Sequence, residues 1–473
     1  MFVIRLKDND YQGTKISLSG LTADEKIRVR KILDSINNIP LKELEEKGLI
    51  IFPFKFLERD LIDKSKIVCS IQKLESENPV IKTTTVMGYF SFDNFVQIEI
   101  TSRFDNDDRQ FFLHYMLQKI CEFSPTIELV HTNKNPFYEF LVYLFPYYLK
   151  RALVKGAFRT YITREYNDSS VRGVIDFSRH IKNNIPFNGK AAYCMREYSK
   201  DNFLTQLIRH TIEFIVENKN LKDILLHDKE VRESVAIIRS CTENYNKSLR
   251  ELIINKNLKS ISHPYYTEYE SLRKLCIMIL THNKMNYGYT SQNHFNGILF
   301  DGSALWEEYL NLVLKGKMLE EKKSYILEHP NNRTGQGRQY LFESDEEKNI
   351  VEIYPDFLIK DLNQNVCTII DAKYKNLAEG MVSREDLYQL LTYLFRFKCK
   401  KGMLLYPEKE SEGLCNPTKK YLKDNEEKIS FETYGLSIPD YSSEKEDKTA
   451  YNNFCKRMRA SENNLTIICG PKN

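Results

Sequence analysis

Apolar residues crowd both halves of VMGYFSFDNFVQIEI (86–100), with Gly88 in the first half and Asp93-Asn94 between the two. Two apolar runs split by a turn-forming pair predict a β-hairpin. The next segment, DDRQFFLHYMLQKICEF, changes period. Phe111, Phe112, Tyr115, Met116 and Ile120 keep helical spacing, so a helix follows the hairpin. The Asn- and Pro-containing HTNKNPF (131–137) interrupts both patterns and marks a boundary. Residues 1–130 therefore read as a mixed N-terminal domain with short strands.

Residues 131–294 read as a mainly helical middle domain. YEFLVYLFPYYLKRALVKG is an aromatic helix with Pro146 inside it. A kink or break is expected there, because proline lacks the amide proton and crowds the preceding turn. The aromatic stripe reads as packed core rather than as a platform for stacking bases. A strand-containing insertion follows in RTYITREYNDSSVRGVIDF, punctuated by Gly173. REYSKDNFLTQLIRHTIEFIVENK then reads as an amphipathic helix, with Ser199 or Asp201 placed to cap its start.

From about residue 295 the pattern changes again. FNGILFDGSALWEEYLNLVLKG gives a short apolar segment, a Gly-Ser turn and a helix. Strands are expected at 356–360 and 366–370, a helix at 384–397 and an apolar strand, GMLLYP, at 402–407. Helix, strand, strand, helix, strand predicts an α/β domain with a central mixed sheet over 295–473. Glu408 to about Lys428 is polar and reads as a solvated loop, and AYNNFCKRMRA as a last short helix. The fold class expected for the whole chain is α/β and α+β multidomain.

Composition narrows the class of protein. At 473 residues and 55.9 kDa, with 42% hydrophobic and 28% charged residues, the chain suits two or three globular domains. No apolar run reaches a membrane span. The start, MFVIRLKDNDYQG, turns polar after six residues, unlike a secretory or transit leader, so a cytoplasmic protein is expected. A net charge of +4 permits a local basic face for nucleic acid without requiring one. Lys150, Arg151 and Arg159, set among aromatics in 146–164, are candidate phosphate contacts beside the plainer reading of surface charge. The ten cysteines stand singly, without C-x-x-C pairs, and read as free thiols rather than as ligands of zinc or iron–sulfur.

One local pattern carries chemistry. In IYPDFLIKDLNQNVCTIIDAKYK (353–375) an apolar run ends abruptly in Asp371-Ala372-Lys373, and Asp356 opens the preceding run. Strand alternation puts Asp371 and Lys373 on one face. The turn-like Asp361–Asn365 linker allows the two strands to pair antiparallel, which brings Asp356 toward Asp371. Two close carboxylates repel unless a proton or cation lies between them. A divalent ion such as Mg²⁺ prefers carboxylate oxygen and retains water able to attack phosphate. A neighbouring lysine stabilises growing negative charge or helps deprotonate that water. Other acid-x-Lys triplets, such as Glu320-Glu321-Lys322, lie in charged runs and read as solvated surface.

Two flanking helices add polar groups. In REDLYQLLTYLFRF the apolar face is Leu387, Leu390, Leu391 and Leu394, while Asp386, Gln389 and Tyr393 share a neighbouring stripe. In LWEEYLNLVL, Glu307 and Glu308 flank the apolar face. Glu307, directly after the only tryptophan, is preferred over Glu308 as an upstream metal ligand.

Pro355-Asp356, Asp371-Ala372-Lys373 and the Gln389-x-x-x-Tyr393 helix resemble the PD-(D/E)xK nuclease superfamily, in its RecB-like branch. The resemblance implies a restriction-endonuclease-like domain in which Asp356 and Asp371 bind Mg²⁺, with Mn²⁺ as a substitute. Lys373 would serve the attacking water, and Gln389 and Tyr393 would organise the site. Cys399, Cys415 and Cys455 do not make the flanking set of members with an iron–sulfur cluster. RGVIDFSRHIKNN (172–184), REYSKDNFLTQLIRHTI (196–212) and ILFDGSALWEEYL (298–310) are similar to the McrC family, the nuclease subunit of McrBC-type modification-dependent restriction systems. The matching positions are Arg172, Gly173, Ile175 and Asp176, then Glu197, Ser199, Asp201 and Asn202. The similarity runs over about 85–410.

That resemblance implies an antiviral endodeoxyribonuclease, active on double-stranded DNA carrying modified cytosine. It would work assembled with a McrB-like AAA+ GTPase ring that it stimulates and on which its N-terminal domain docks. The chain has no G-x-x-x-x-G-K-[ST] loop, so nucleotide is expected on the partner. Gly335-Gln336-Gly337-Arg338 reads as a hairpin turn. Two other readings stand beside this one: an autonomous DNA-processing nuclease of the same superfamily, and a non-catalytic activator of an AAA+ partner.

Overall fold

The computed structural model describes residues 2–46, 50–52, 65–92, 95–105, 110–120, 136–218, 221–226, 228–261, 263–285, 295–320, 325–330, 339–344, 350–375, 382–410, 418–423, 428–441 and 450–465. The chain is a mixed α/β protein that divides into two compact units, one of residues 1–131 and 290–473, the other of 132–289.

In the first unit, a five-stranded sheet runs in the order Phe2–Lys7, Val96–Thr101, Val86–Phe92, Phe295–Asp301, Ile50–Phe52. Its centre is the antiparallel pair expected from the sequence, with Gly88 opposite Ile100 and Phe92 opposite Val96. The turn pair Asp93-Asn94 lies outside the described residues. Ile4, Leu6, Phe90, Ile98 and Ile100 turn inward against helix Ala23–Asp34, which buries Val29, Ile32 and Leu33. A capping box starts that helix: Thr22 Oγ1 accepts from the Glu25 amide and the Glu25 carboxylate accepts from the Thr22 amide.

Strand Phe295–Asp301 joins this sheet antiparallel to Val86–Phe92. A Cβ on Gly297 would stand 2.2 Å from the Tyr89 carbonyl oxygen, so glycine lets the two backbones approach. Stretches 1–130 and 295–473, read separately from the sequence, thus share one sheet. The strands that join them lie on either side of the middle segment, and no local pattern announces such a pairing.

The second large sheet of this unit has six strands, ordered Tyr325–Glu328, Phe357–Asp361, Val366–Ala372, Lys401–Lys409, Ser430–Ile438, Thr418–Tyr421. Phe357–Asp361 and Val366–Ala372 are antiparallel, whereas Val366–Ala372, Lys401–Lys409 and Ser430–Ile438 are mutually parallel. Parallel strands need cover on both faces, and the Met403-Leu404-Leu405 run is buried accordingly. Leu390 and Leu394 of helix Arg384–Arg396 close over Gly402. Trp306 of helix Gly302–Glu320 donates its indole N–H to the Leu405 carbonyl at 3.4 Å.

The expected solvated loop from Glu408 to about Lys428 is in part strand. Lys401–Lys409 continues past Glu408, and Thr418–Tyr421 pairs with Ser430–Ile438 as an exposed edge. TKKY is polar because an edge strand needs charge rather than cover, so it carries no apolar signal. The Gly335–Arg338 stretch lies outside the described residues.

In the other unit, of the kink or break expected at Pro146 no break forms, and helix Pro136–Leu153 runs through it. Leu141, Val142, Leu144, Phe145 and Leu149 are buried around the proline, and that packing outweighs the missing amide. Tyr143, Phe145 and Tyr148 belong to the core. The insertion forms a three-stranded sheet, Thr160–Asp168, Ala191–Ser199, Val174–Ile175. Neither Ser199 nor Asp201 caps the helix that follows. Asn202 does, its Oδ1 accepting from the amides of Leu204 and Thr205. The strand runs to Ser199, and Asp201 is drawn off by Gln206 and by Asn244 at 2.7 Å. Lys150 is paired with Asp228 at 3.0 Å and Arg151 donates to Tyr147 Oη at 2.8 Å. Of the three candidate phosphate contacts, only Arg159 stands exposed.

Candidate active site

Asp356 immediately precedes strand Phe357–Asp361, and Asp371 is the penultimate residue of Val366–Ala372. Phe357 pairs with Ile370, so the same register carried one step further sets Asp356 opposite Asp371. The intervening turn and a one-residue irregularity between the Lys360–Val366 and Ile359–Thr368 pairs set that register together. The Asn365 amide donates to Asp361 Oδ1 at 2.8 Å, and Gln364 takes φ +67°. At the other end, the Ala372 amide donates to Asp356 Oδ2 at 2.6 Å, clasping the two strands together.

Both acids are raised. Burial pushes the Asp356 carboxyl well above the ordinary carboxylate range. The charges of Asp371 and Glu307 push the same way, and the Ala372 amide and Lys373 offset them only in part. Asp371, 1% exposed, is raised by burial against the lowering pull of Lys373. Lys373 Nζ stands 2.6 Å from Asp371 Oδ2. Burial works to lower this lysine, but Asp371, then Asp356 and Asp386, carry it above its usual value. It is therefore a cation at neutral pH.

Helix Arg384–Arg396 supplies the third side. Ser383 caps it, accepting from the Asp386 amide at 3.2 Å and donating to Asp386 Oδ2 at 2.6 Å. With Leu390 and Leu394 buried, the neighbouring stripe faces the strand ends. Lys373 Nζ donates to Gln389 Oε1 at 2.9 Å, and Gln389 Nε2 donates to Tyr393 Oη at 2.9 Å. Tyr393 in turn donates to the Tyr354 carbonyl at 3.1 Å, two residues before Asp356. Burial pushes Tyr393 up to about 12, so it stays a neutral donor. Asp386 pairs with Lys375 and lies 3.6 Å from Lys373.

Glu307 and Glu308 lie on helix Gly302–Glu320. The charge of Glu307 acts on Asp356, whereas Glu308 is buried and accepts from Asn311 Nδ2 at 3.3 Å. One residue here escaped the sequence reading. His329 follows strand Tyr325–Glu328, and its Nδ1 stands 2.6 Å from the Asp356 carbonyl oxygen. Its Nε2 is 3.5 Å from an oxygen of each glutamate. A lone histidine before a proline gives no periodic signal, and only the strand pairing puts it beside the acids.

The donor chemistry suits a hard divalent cation in one respect. Two carboxylates face each other, each raised by burial, and the charge of Asp371 raises Asp356 further, so a cation between them would relieve the repulsion. Among the described residues, no group of three His, Cys, Asp or Glu side chains is placed to hold a metal ion. The carboxylates that could hold such an ion are the facing Asp356 and Asp371, with Glu307, whose charge acts on Asp356, as the candidate on the neighbouring helix.

Fold and site together define a mixed α/β protein whose acid pair, lysine and Gln/Tyr helix converge at the end of a six-stranded sheet. The sequence profile described as "McrBC 5-methylcytosine restriction system component" matches residues 81–407, more than half of the chain, and the chain belongs to that family. No curated protein sequence matches it. Solved structures similar to it include two McrBC assemblies. One is a refined half-complex from the tetradecameric assembly of Thermococcus gammatolerans McrB AAA+ hexamers with bound McrC. It is 17% identical, covers 97% of this chain and 99% of that one, and has a TM-score of 0.47. The other, a cryo-EM structure of the Thermococcus gammatolerans McrBC complex, is also 17% identical. It covers 66% of this chain and 87% of that one, with a TM-score of 0.31. Among the described residues, no helix is long and apolar enough to cross a membrane.

Proposed function

We propose that this chain is the DNA-cleaving subunit of a McrBC-type restriction complex, a Mg²⁺-dependent endodeoxyribonuclease with a restriction-endonuclease-like C-terminal domain. It works when assembled with a McrB-like AAA+ GTPase ring that it also stimulates, on double-stranded DNA carrying modified cytosine. Membership of the McrBC component family supports the restriction role and the partner. The observation that carries the nuclease reading is the facing pair Asp356 and Asp371, with Lys373 held between Asp371 and Gln389.

In that reading each residue has a distinct task. Asp356 and Asp371 would hold the Mg²⁺, with Glu307 as the upstream ligand. The bound ion supplies Lewis-acid polarisation of the scissile phosphate and a more acidic water. Lys373, kept cationic by its acidic neighbours, stabilises negative charge developing on the phosphate rather than serving as the resting base. Gln389 orients the lysine through its carbonyl, and Tyr393 fixes the Gln389 amide by accepting from it. Ala372, by bonding Asp356, holds one carboxylate oxygen back from rotation.

The test is cleavage of methylated and unmethylated plasmid by the chain with its AAA+ partner, GTP and Mg²⁺. Wild type should cut the methylated DNA. Asp371→Ala and Lys373→Met should lose at least about 10²-fold in rate, the scale of one lost charge-stabilising group, while both still raise the partner's GTP hydrolysis. Equal cutting by Asp371→Ala would remove the site assignment. Stimulated GTP hydrolysis without cutting by wild type would leave the chain as an activator.

A further inference from the structure

The segment after the candidate catalytic strand is gripped from the N-terminal part of the same unit. The Lys373 amide still donates to the Leu405 carbonyl at 2.8 Å, but the next residue leaves the sheet. Tyr374 is 6% exposed, and its ring enters a pocket floored by Gly302, where a Cβ would stand 2.7 Å from Tyr374 Cε1. Its hydroxyl bonds Ser102 Oγ at 2.9 Å, and its ring meets Phe104 edge-on at 5.2 Å. Arg103 Nη2 donates to the Tyr374 carbonyl, and its guanidinium lies 5.1 Å from the centre of the Tyr374 ring.

The gripping loop is itself fixed. The Arg103 amide donates to Asp8 Oδ1 at 2.6 Å, and Lys7 Nζ donates to the Asp105 carbonyl at 3.0 Å. Asp8 and Lys7 sit at the end of strand Phe2–Lys7, far from the sheet that carries the acids in sequence.

We propose that Arg103 and Tyr374 are positioning residues that aim Lys373 at Asp371 and Gln389. Lys373 is the last residue whose amide bonds the sheet, so holding the Tyr374 ring and carbonyl directly after it limits how the Lys373 backbone, and with it the side chain, can turn. Arg103 fixes the peptide that joins them to the outgoing chain, which removes the remaining freedom. The inference rests on the reading of Lys373 as a catalytic group. Its geometric part, the aim of the lysine, is testable without that reading.

Two measurements on the full chain separate the cases. The first is single-turnover cleavage by the complex with its AAA+ partner, comparing wild type with Arg103→Ala, Arg103→Lys and Tyr374→Phe. The second is the rate at which an acylating reagent modifies Lys373 Nζ, followed by mass spectrometry with thermal unfolding as the folding control. Arg103→Ala should cut about 10²-fold more slowly at unchanged DNA affinity, the scale expected of an ångström of misplacement. Its Lys373 should be acylated several-fold faster. Arg103→Lys cannot reach the carbonyl with the same planar fork and should rescue little. Tyr374→Phe keeps the ring but loses the Ser102 hydrogen bond, and should show the same two changes to a smaller extent. A folded Arg103→Ala with wild-type acylation and wild-type cutting overturns the proposal, as does a cutting loss without any change in acylation. If wild type does not cut at all, the nuclease reading fails and the acylation ratio alone decides the aim of the lysine.

Discussion

Asp105 shows how far burial alone moves a titratable group in this protein. It is 1% exposed, and its Oδ1 accepts from Tyr441 Oη at 2.7 Å and from the Phe112 amide at 2.8 Å. Burial is the largest influence and carries the carboxyl up to about 6, against those hydrogen bonds and Lys7. A raised carboxyl means that the folded state holds the proton more tightly than the unfolded chain does. The resulting contribution is fully present below about pH 4 and is lost as pH climbs through 6. Asp105→Asn keeps the acceptor oxygen without the charge. Its stability relative to wild type should therefore rise between pH 4.5 and 7.5, by roughly 2 kcal/mol. Urea unfolding of both proteins at the two pH values reads this directly, and a pH-independent difference would mean that Asp105 titrates normally. The candidate site residues differ from Asp105 in carrying a local signal. Asp371 and Lys373 stand out because they end an apolar run, and Gln389 and Tyr393 because they share a helical stripe. Asp105 follows a mixed, polar stretch, and its burial is set by Tyr441, remote in the chain.

At the scale of elements, legibility followed the range of the interactions. Helix Arg384–Arg396 and the two antiparallel strands before it are specified by local periodicity and a short turn, and the structure sets them within two residues of the expected bounds. Strand Ser430–Ile438 escaped the reading, although it pairs with Lys401–Lys409 along its whole length. Its Thr, Tyr, Gly and Ser residues give neither clear alternation nor an apolar run. Glycine marks the opposite extremes of such dependence. Gly297 lies where a Cβ would strike the Tyr89 carbonyl oxygen at 2.2 Å and the Phe90 Cα at 2.5 Å. Gly316 lies inside helix Gly302–Glu320, where a Cβ would meet nothing within 4 Å. Gly297→Ala should therefore destabilise by about 1–3 kcal/mol or more, through forced separation of the strands. Gly316→Ala should stabilise by about 0.5–1 kcal/mol, through reduced freedom of the unfolded chain. Denaturant midpoints for the two variants should move in opposite directions, and a common direction would contradict this account of the backbone contact.

The organisation of the whole molecule is where local patterns said least. The sequence suggests that 295–473 stands as a domain, because its helix and strands follow one another closely. In the structure its first strand is paired to Val86–Phe92, and its first helix is packed to an aromatic layer from the N-terminal part. Phe112 lies 6.2 Å from Trp306 and Tyr115 6.1 Å from Tyr309, while Glu462 accepts from both Tyr115 and Tyr309. Cutting the chain at 294 would expose Trp306 and Tyr309 and leave the edge of Phe295–Asp301 unpaired. Both are aggregation hazards. A fragment of residues 295–473 should therefore fail to unfold cooperatively and should aggregate. Co-expression with residues 1–131 should restore a soluble complex that unfolds in one transition, because it returns the missing strand and aromatic partners. Size exclusion and thermal melts of the fragment, alone and with its complement, measure this. Cooperative melting of 295–473 alone would show that its six-stranded sheet is sufficient to fold, and that the N-terminal part is needed only for what it does to the site.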